Sequence, residues 1–225
     1  MFEVTTAWKS IFRGAHVGVL AMKDVTNPAH QVELEKLKAE LESGLREQFK
    51  GQDRAALSSH PVLQVYGEYY RRFKKTYHVQ LQLESIVMKG KSIPSVAALV
   101  EAMFMAEIKN MLLTAGHDLD TLHLPLTLNV SNGSESYTVM RGETQTLKPD
   151  DMFISDQAGI ISDIIYGPDQ RTQINANTRN VVFTVYAPAG IDENTILAHL
   201  HDMRDYVLVI SPQAQVEMLQ VFGGE

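Results

Sequence analysis

The sequence predicts an α+β fold, and three observations predict it. The first half of the chain reads in helical periods, and the second half reads in short apolar runs separated by turn residues. No internal repeat or low-complexity linker divides them. Helices followed by strands favour a sheet packed on a helical layer. The 225 residues are enough for one large domain or two small ones. With no linker in sight, residues 1–225 are read as a single domain, helix-rich over 1–115 and strand-rich over 116–225.

"AHVGVLAMK" (15–23) reads as a buried strand, and Asn27-Pro28 as the turn after it. From Pro28 to about Gly51 the pattern is helical: Leu34, Leu37, Leu41, Leu45 and Phe49 recur at three and four residues, on one stripe. Glu35, Lys38, Glu42 and Arg46 then fall on the opposite face, most simply a solvated one. His60-Pro61 opens a helix through "VLQVYGEYYRRF". "HVQLQLESIVM" reads as another, with Leu83, Ile86 and Val87 on one side. After Pro94, "SVAALVEAMFMAEIKNMLL" is apolar nearly all round and predicts a central helix. Glu101, Glu107, Lys109 and Asn110 within it argue against a membrane span.

After Gly116 the texture changes. Strands are expected at 126–130, 136–141, 151–156, 159–166 and 180–186. Asn132-Gly133, Arg141-Gly142-Glu143, Pro149-Asp150 and Gly167-Pro168-Asp169 mark the turns between them. Ile196, Leu200, Met203 and Val207 then predict one more helix, and "AQVEMLQVF" fits strand or helix.

Composition narrows the function classes. Hydrophobic residues at 44% and charged residues at 21% are ordinary for a globular protein. The absence of cysteine excludes disulfides, thiolate metal sites and cysteine nucleophiles. It also fits a reducing compartment. The opening "MFEVTTAWKS" has no basic-then-apolar signal pattern, so a cytoplasmic protein with no membrane partner is expected. A formal net charge of -7 argues weakly against a general nucleic-acid binder while leaving room for a local basic patch.

Several constellations invite chemistry. Lys89-Gly90-Lys91-Ser92 looks like the tail of a phosphate-binding loop, but that motif needs a glycine where Ser85 stands, and Pro94 interrupts the helix it should open. His199 and His201 are two apart on a helix, which points them to different faces. In "AGHDLD", His117, Asp118 and Asp120 sit in an expected turn after the central helix. They could ligate a metal, or Asp118 could cap a short helical turn with His117 half exposed; capping is the commoner role. No metal or cofactor is expected. No Gly-x-Ser-x-Gly elbow is present, so no serine triad is signalled.

"YRRFKKTYH" concentrates Arg71, Arg72, Lys74 and Lys75 with Tyr69, Tyr70, Phe73 and Tyr77, and Lys89 and Lys91 follow. Cations can neutralise phosphates and rings can stack on unpaired bases. A solvated rim whose rings belong to the core explains the pattern equally well. Between two apolar strands, Asp163, Arg171, Thr172, Thr178, Arg179 and Asn180 are either loop hydrogen-bonders or the mouth of a pocket.

The order of four motifs carries a resemblance: "HPVLQVYGEYYRRF", "LESIVMKGKSIPSVAALVEAM", "AGHDLD", and "RGETQTLKPDDMFISDQAGIISDIIYGPDQRTQINANTRNVVF". Together, over roughly residues 60 to 186, they resemble stand-alone relatives of the tRNA-binding and editing domain of the phenylalanyl-tRNA synthetase β subunit. The resemblance implies a three-layer α+β domain, its helical layer packed on a β-sandwich-like mixed or antiparallel core, with a pocket beside it. It also implies that the Lys-Gly-Lys turn joins two helices, Gly90 ending one and Pro94 starting the next.

In the synthetase such a pocket hydrolyses tyrosine wrongly attached to the phenylalanine tRNA, using a positioned water and oxyanion donors. Positions matching that pocket are His117, Asp118, Asp163, Arg171 and Thr172. The partner implied is tRNA or aminoacyl-tRNA, with Arg71, Arg72, Lys74, Lys75, Lys89 and Lys91 as its candidate contacts. An enzyme of this kind would be an aminoacyl-tRNA ester hydrolase acting in trans, not a complete tRNA ligase. The chain departs from the family at Phe104 and Glu107, where Asn and Ser are frequent, at Ala115, where the synthetase has His, and in the apolar stretch Ile164 to Pro168. The alternative is therefore a non-catalytic module that binds an amino acid or a protein and has lost the editing site.

Overall fold

A computed structural model describes residues 1–224. β1 (Phe2–Val4) and α1 (Thr6–Ile11) precede β2 (His16–Lys23). A helical stretch follows: α2 (Val32–Gln48), α3 (Arg54–Ser58), α4 (Pro61–Arg72), α5 (His78–Val87) and α6 (Ala98–Asn110). Then come β3 (Leu113–Asp118), a 3₁₀ turn (Leu119–Thr121), β4 (Leu126–Val130), β5 (Ser136–Thr138) and β6 (Thr144–Thr146). The chain closes with β7 (Met152–Asp156), β8 (Gly159–Asp163), β9 (Gly167–Pro168), β10 (Val181–Ala187), α7 (Glu193–Ile210) and β11 (Gln215–Gly223).

The fold is α+β. One sheet is antiparallel in the order β11-β2-β10-β3; the other is mixed, β1-β4-β7-β8-β9, with β1 parallel to β4. β5 and β6 form a separate ribbon. β2 and β10 lie inside the first sheet and are buried on both faces, which is why both read as unbroken apolar runs. α7 lies directly on β2: a Cβ at Gly18 would stand 2.6 Å from Ile196 Cγ2, so glycine permits the approach. Ile196 and Leu200 are fully buried there, each contributing about 2 kcal/mol by leaving water. The two sheets are tied by Tyr186 on β10, whose Oη lies 2.7 Å from Ser162 Oγ and donates to Ser162 O at 3.0 Å.

The tyrosines of α4 fix the same region from the helical side. Tyr66 Oη donates to the Tyr186 carbonyl and accepts from Leu113 N at 3.0 Å. Tyr69 Oη donates to Asp151 Oδ1 at 2.7 Å, and Tyr70 Oη to Ile164 O at 2.6 Å. These rings are buried, so they are not free to stack on bases; their role here is to hold strands.

Local readings needed several corrections. α2 starts at Val32 rather than Pro28, because the Gln31 side chain accepts from Leu34 N at 2.7 Å and caps it there. Its inward stripe is Leu34, Lys38, Glu42, Leu45 and Phe49; Leu37 and Leu41 are only half-buried. Lys38 and Glu42 are thus buried, not solvated, because partners await them inside. "AGHDLD" is mostly strand β3 rather than a turn, since β10 pairs with it from Leu113 to Asp118. α6 begins at Ala98, four residues after Pro94. The 136–141 strand shortens to β5, and the 159–166 strand ends at Asp163. The chain end is strand β11, on the sheet edge. β1, α1, α3, β6 and β9 carry no separate sequence signal. Among the described residues, no helix is long and apolar enough to cross a membrane.

Candidate functional site

A cleft of about 270 Å³ opens where α5, α6, β3 and the β8–β9 turn meet. α6 contributes Val100, Met103, Phe104 and Glu107; β3 contributes Leu113 to Gly116; Asp163, Gly167 and Pro168 close the far side. Ile174, Met140 and Tyr186 complete an apolar wall, and His78, Gln82 and Gln173 supply polar groups. β3 packs closely here, for a Cβ at Gly116 would lie 2.8 Å from Ile174 Cδ1.

Two carboxyls define the cleft's chemistry. Glu107 is fully buried, and Oε1 accepts from Thr114 N at 2.7 Å across the α6–β3 reversal. Burial pushes its carboxyl up to about 8, against the weaker opposing pull of that amide. Glu107 is therefore neutral at pH 7 and carries a proton it can donate. Thr114 is itself held, its Oγ1 2.8 Å from His199 Nε2.

Asp163 is the second. Its Oδ1 accepts from Tyr166 N at 2.6 Å, Gly167 N at 3.1 Å and Tyr137 Oη at 3.2 Å. Its Oδ2 and the Oδ2 of Asp151 are both buried, and among the described residues neither has a hydrogen-bond partner. Burial raises both carboxyls, Asp151 further because the Asp163 charge adds to it, so the two titrate as a pair.

The residues singled out from the resemblance divide into three groups. Asp163 alone lines the cleft. His117, Arg171 and Thr172 come together in a polar network outside it. His117 Nδ1 lies 2.7 Å from Thr172 Oγ1, and Thr172 donates to Asp169. Arg171 grips Asp156 with two bonds, at 2.9 and 3.0 Å, and donates to Thr121 O at 3.1 Å. His117 is fully buried rather than half exposed, and burial, aided by Arg171, pulls its imidazole down to about 3, so it is neutral. Burial alone would raise Asp156, but hydrogen bonds from His123 N and Arg171 outweigh it and hold the carboxyl low. Asp118 belongs to the third group: it caps the 3₁₀ turn through Asp120 N at 3.1 Å and accepts from Thr178 Oγ1 at 2.7 Å. Among the described residues, no three His, Asp or Glu side chains group to hold a metal ion.

The basic cluster is exposed but divided. Arg71 and Lys75 flank one hollow, Arg72 and Lys74 another with Lys148. Arg72 lies over the Tyr69 and Phe73 rings at 5.1 and 5.4 Å. Lys89 and Lys91 stand apart, past the end of α5. Glu107 and Asp151 were missed as site residues. The available signal for Glu107 was a carboxylate in a mostly apolar helix; Asp151 gave none, because the Tyr69 hydroxyl that bonds it is distant in sequence.

Comparisons with known proteins agree with this architecture. The B3/4 domain family matches residues 62–206. Among solved structures, an N-terminal fragment of the phenylalanyl-tRNA synthetase β subunit from Pyrococcus horikoshii is similar with a TM-score of 0.53 at 10% identity. The match covers 96% of this chain and 50% of that one, so the chain spans about half the length of the fragment. At that identity the likeness speaks for the fold. No curated protein matches the sequence. The family match takes in most of the chain, from α4 into α7, and the cleft lies within it: the chain belongs to the B3/4 domain family.

Proposed function

We propose that the cleft receives the aminoacyl ester end of a tRNA and that the chain hydrolyses that ester in trans. The observation that carries this reading is the charge of the cleft: among the described residues two carboxyls line it, and no lysine or arginine does. A free amino acid brings a carboxylate beside its ammonium, and the cleft offers that carboxylate no counter-charge. An aminoacyl ester keeps the ammonium and has no carboxylate. Asp163 supplies the counter-charge to the ammonium, while neutral Glu107 donates to the oxygen on which negative charge develops.

The reaction is simple to balance. A water oxygen bonds to the ester carbonyl carbon, the carbon–oxygen bond to the ribose breaks, and the water proton ends on the ribose oxygen. No dedicated nucleophile is needed. The fold shared with a tRNA synthetase fragment makes tRNA the natural carrier, in the cytoplasm where tRNA is charged. The exposed Arg71, Arg72, Lys74 and Lys75 are available for its phosphates.

The test compares tyrosine methyl ester with free tyrosine by calorimetry, and follows deacylation of phenylalanine tRNA mischarged with tyrosine. The ester should bind at least about tenfold tighter than the free amino acid, and Asp163→Asn should abolish that preference. Deacylation should exceed the spontaneous rate. Tighter binding of free tyrosine would replace this reading with an amino-acid-binding module; ester binding without deacylation would leave a non-catalytic one.

A further inference from the structure

A second groove, of about 370 Å³, adjoins the cleft. His78, Gln82 and Phe104 line both, so the two spaces are neighbours across one shared wall. The groove's floor is apolar, with Ile86, Ile93 and Ile108. Its rim is polar and basic, with Ser85, Ser92 and Lys91. The Lys91 side chain is exposed, and exposed Lys89 lies two residues before it.

That rim is built rather than loose. Lys91 N donates to Ser85 O at 3.0 Å, and Lys91 O accepts from Arg46 Nη2 at 3.0 Å. Ile93 N donates to Glu42 Oε1 at 2.7 Å, while Glu42 Oε2 holds Arg46 at 3.1 Å. Two side chains of α2 therefore fix the Lys91–Ile93 backbone, and a ligand would not have to order it.

We propose that this groove is the subsite for the terminal nucleotide of the RNA whose aminoacyl group enters the cleft. The inference rests on the aminoacyl-ester reading above. The Phe104 ring and the isoleucines suit the face of a base, and Gln82 and Ser85 can meet its edge. Lys91, with Lys89 near, suits one or two backbone phosphates. A cation at the rim of a groove beside an ester-accepting cleft favours a nucleotide over an apolar peptide. The Lys-Gly-Lys-Ser turn then meets phosphate through one exposed side chain, not by wrapping it with backbone amides.

The experiment uses two probes separately, the unacylated trinucleotide CCA and tyrosine methyl ester, on the wild type, Lys91→Glu and Ser92→Trp. CCA should bind the wild type and weaken about tenfold in Lys91→Glu, with a salt slope smaller by about one. Ser92→Trp should block CCA by filling the groove. Neither change should alter ester binding. No CCA binding at low salt, or CCA binding unchanged in both variants, overturns the nucleotide subsite whatever the ester does. Failure of the ester while CCA binds as expected overturns the reading of the cleft and supports the groove.

Discussion

Glu101 and Glu107 stand less than two turns apart on α6, and both are buried to within 2% of full enclosure. Their surroundings differ completely. Glu101 meets Lys38 Nζ at 2.6 Å, and Lys38 also reaches Glu35 at 2.8 Å and Ser95 Oγ at 3.0 Å. Burial alone would lower the Lys38 ammonium, but the bonds from Glu101 and Glu35 outweigh it and hold it above its ordinary value. Glu107 meets one backbone amide and no cation, so it keeps its proton. One end of the helix spends its carboxyl on architecture, joining α2 to α6. The other end presents a carboxyl to an open cleft. A buried charge with a partner is part of the frame; a buried acid without one is ready for a ligand.

The largest expected effect tests the framed end. Lys38→Met should cost about 4 kcal/mol in chemical denaturation, since it strands Glu101 uncompensated. The double variant Lys38→Met, Glu101→Leu should recover most of that loss. A single-variant cost below about 1 kcal/mol would break the contrast.

The open end should show itself through pH. Glu107 titrates near its ordinary 4.5 when unfolded and at about 8 when folded. The folded form binds the extra proton between those values, so stability falls as pH rises from about 4.5 to 8 and is level above. Glu107→Gln removes the ionisation and keeps an acceptor for Thr114 N. The variant should gain relative to the wild type by on the order of 3 kcal/mol between pH 5 and pH 8.5. Parallel stability curves for the two proteins would mean that Glu107 is already ionised in the fold.

The smallest effect calibrates the others. Lys36 and Glu33 pair at 2.8 Å on the outer face of α2, with both side chains about 60% exposed. Lys36→Ala should change stability by less than about 0.5 kcal/mol. A cost approaching that of Lys38→Met would mean that burial does not separate the two ion pairs on this helix.

The same contrast marks how much was legible in the sequence. α6, β2 and β10 were plain, because a helix or strand buried on nearly all sides must be mostly apolar, and α7 was plain from its stripe of Ile196, Leu200, Met203 and Val207. The rotation of α2 was not. Its leucine stripe is real, but Lys38 and Glu42 face inward because Glu101 and the Ile93 amide are there to receive them. β3 escaped notice because its Leu-Thr-Ala-Gly-His-Asp sequence has little strand preference of its own. Its pairing with β10 supplies what the residues lack. The aromatic residues around the basic ones at the end of α4 looked equally fit for bases or core, and the hydroxyls of Tyr69, Tyr70 and Tyr77 were claimed by Asp151, Ile164 and Met111.

By itself, then, the sequence determined the α+β class, the central helix and the order of motifs that places this chain with the synthetase-related domains. The class and the central helix follow from periodicity and turn chemistry, which act over a few residues; the order of motifs carried a resemblance. Only the tertiary structure decided which polar residues share a site. It sent His117, Arg171 and Thr172 to a network of their own, left Asp163 to the cleft with Asp151 behind it, and gave Glu101 a lysine that it withheld from Glu107. The reason is physical: a carboxyl's charge depends on what lies within a few ångströms, and those neighbours come from distant parts of the chain.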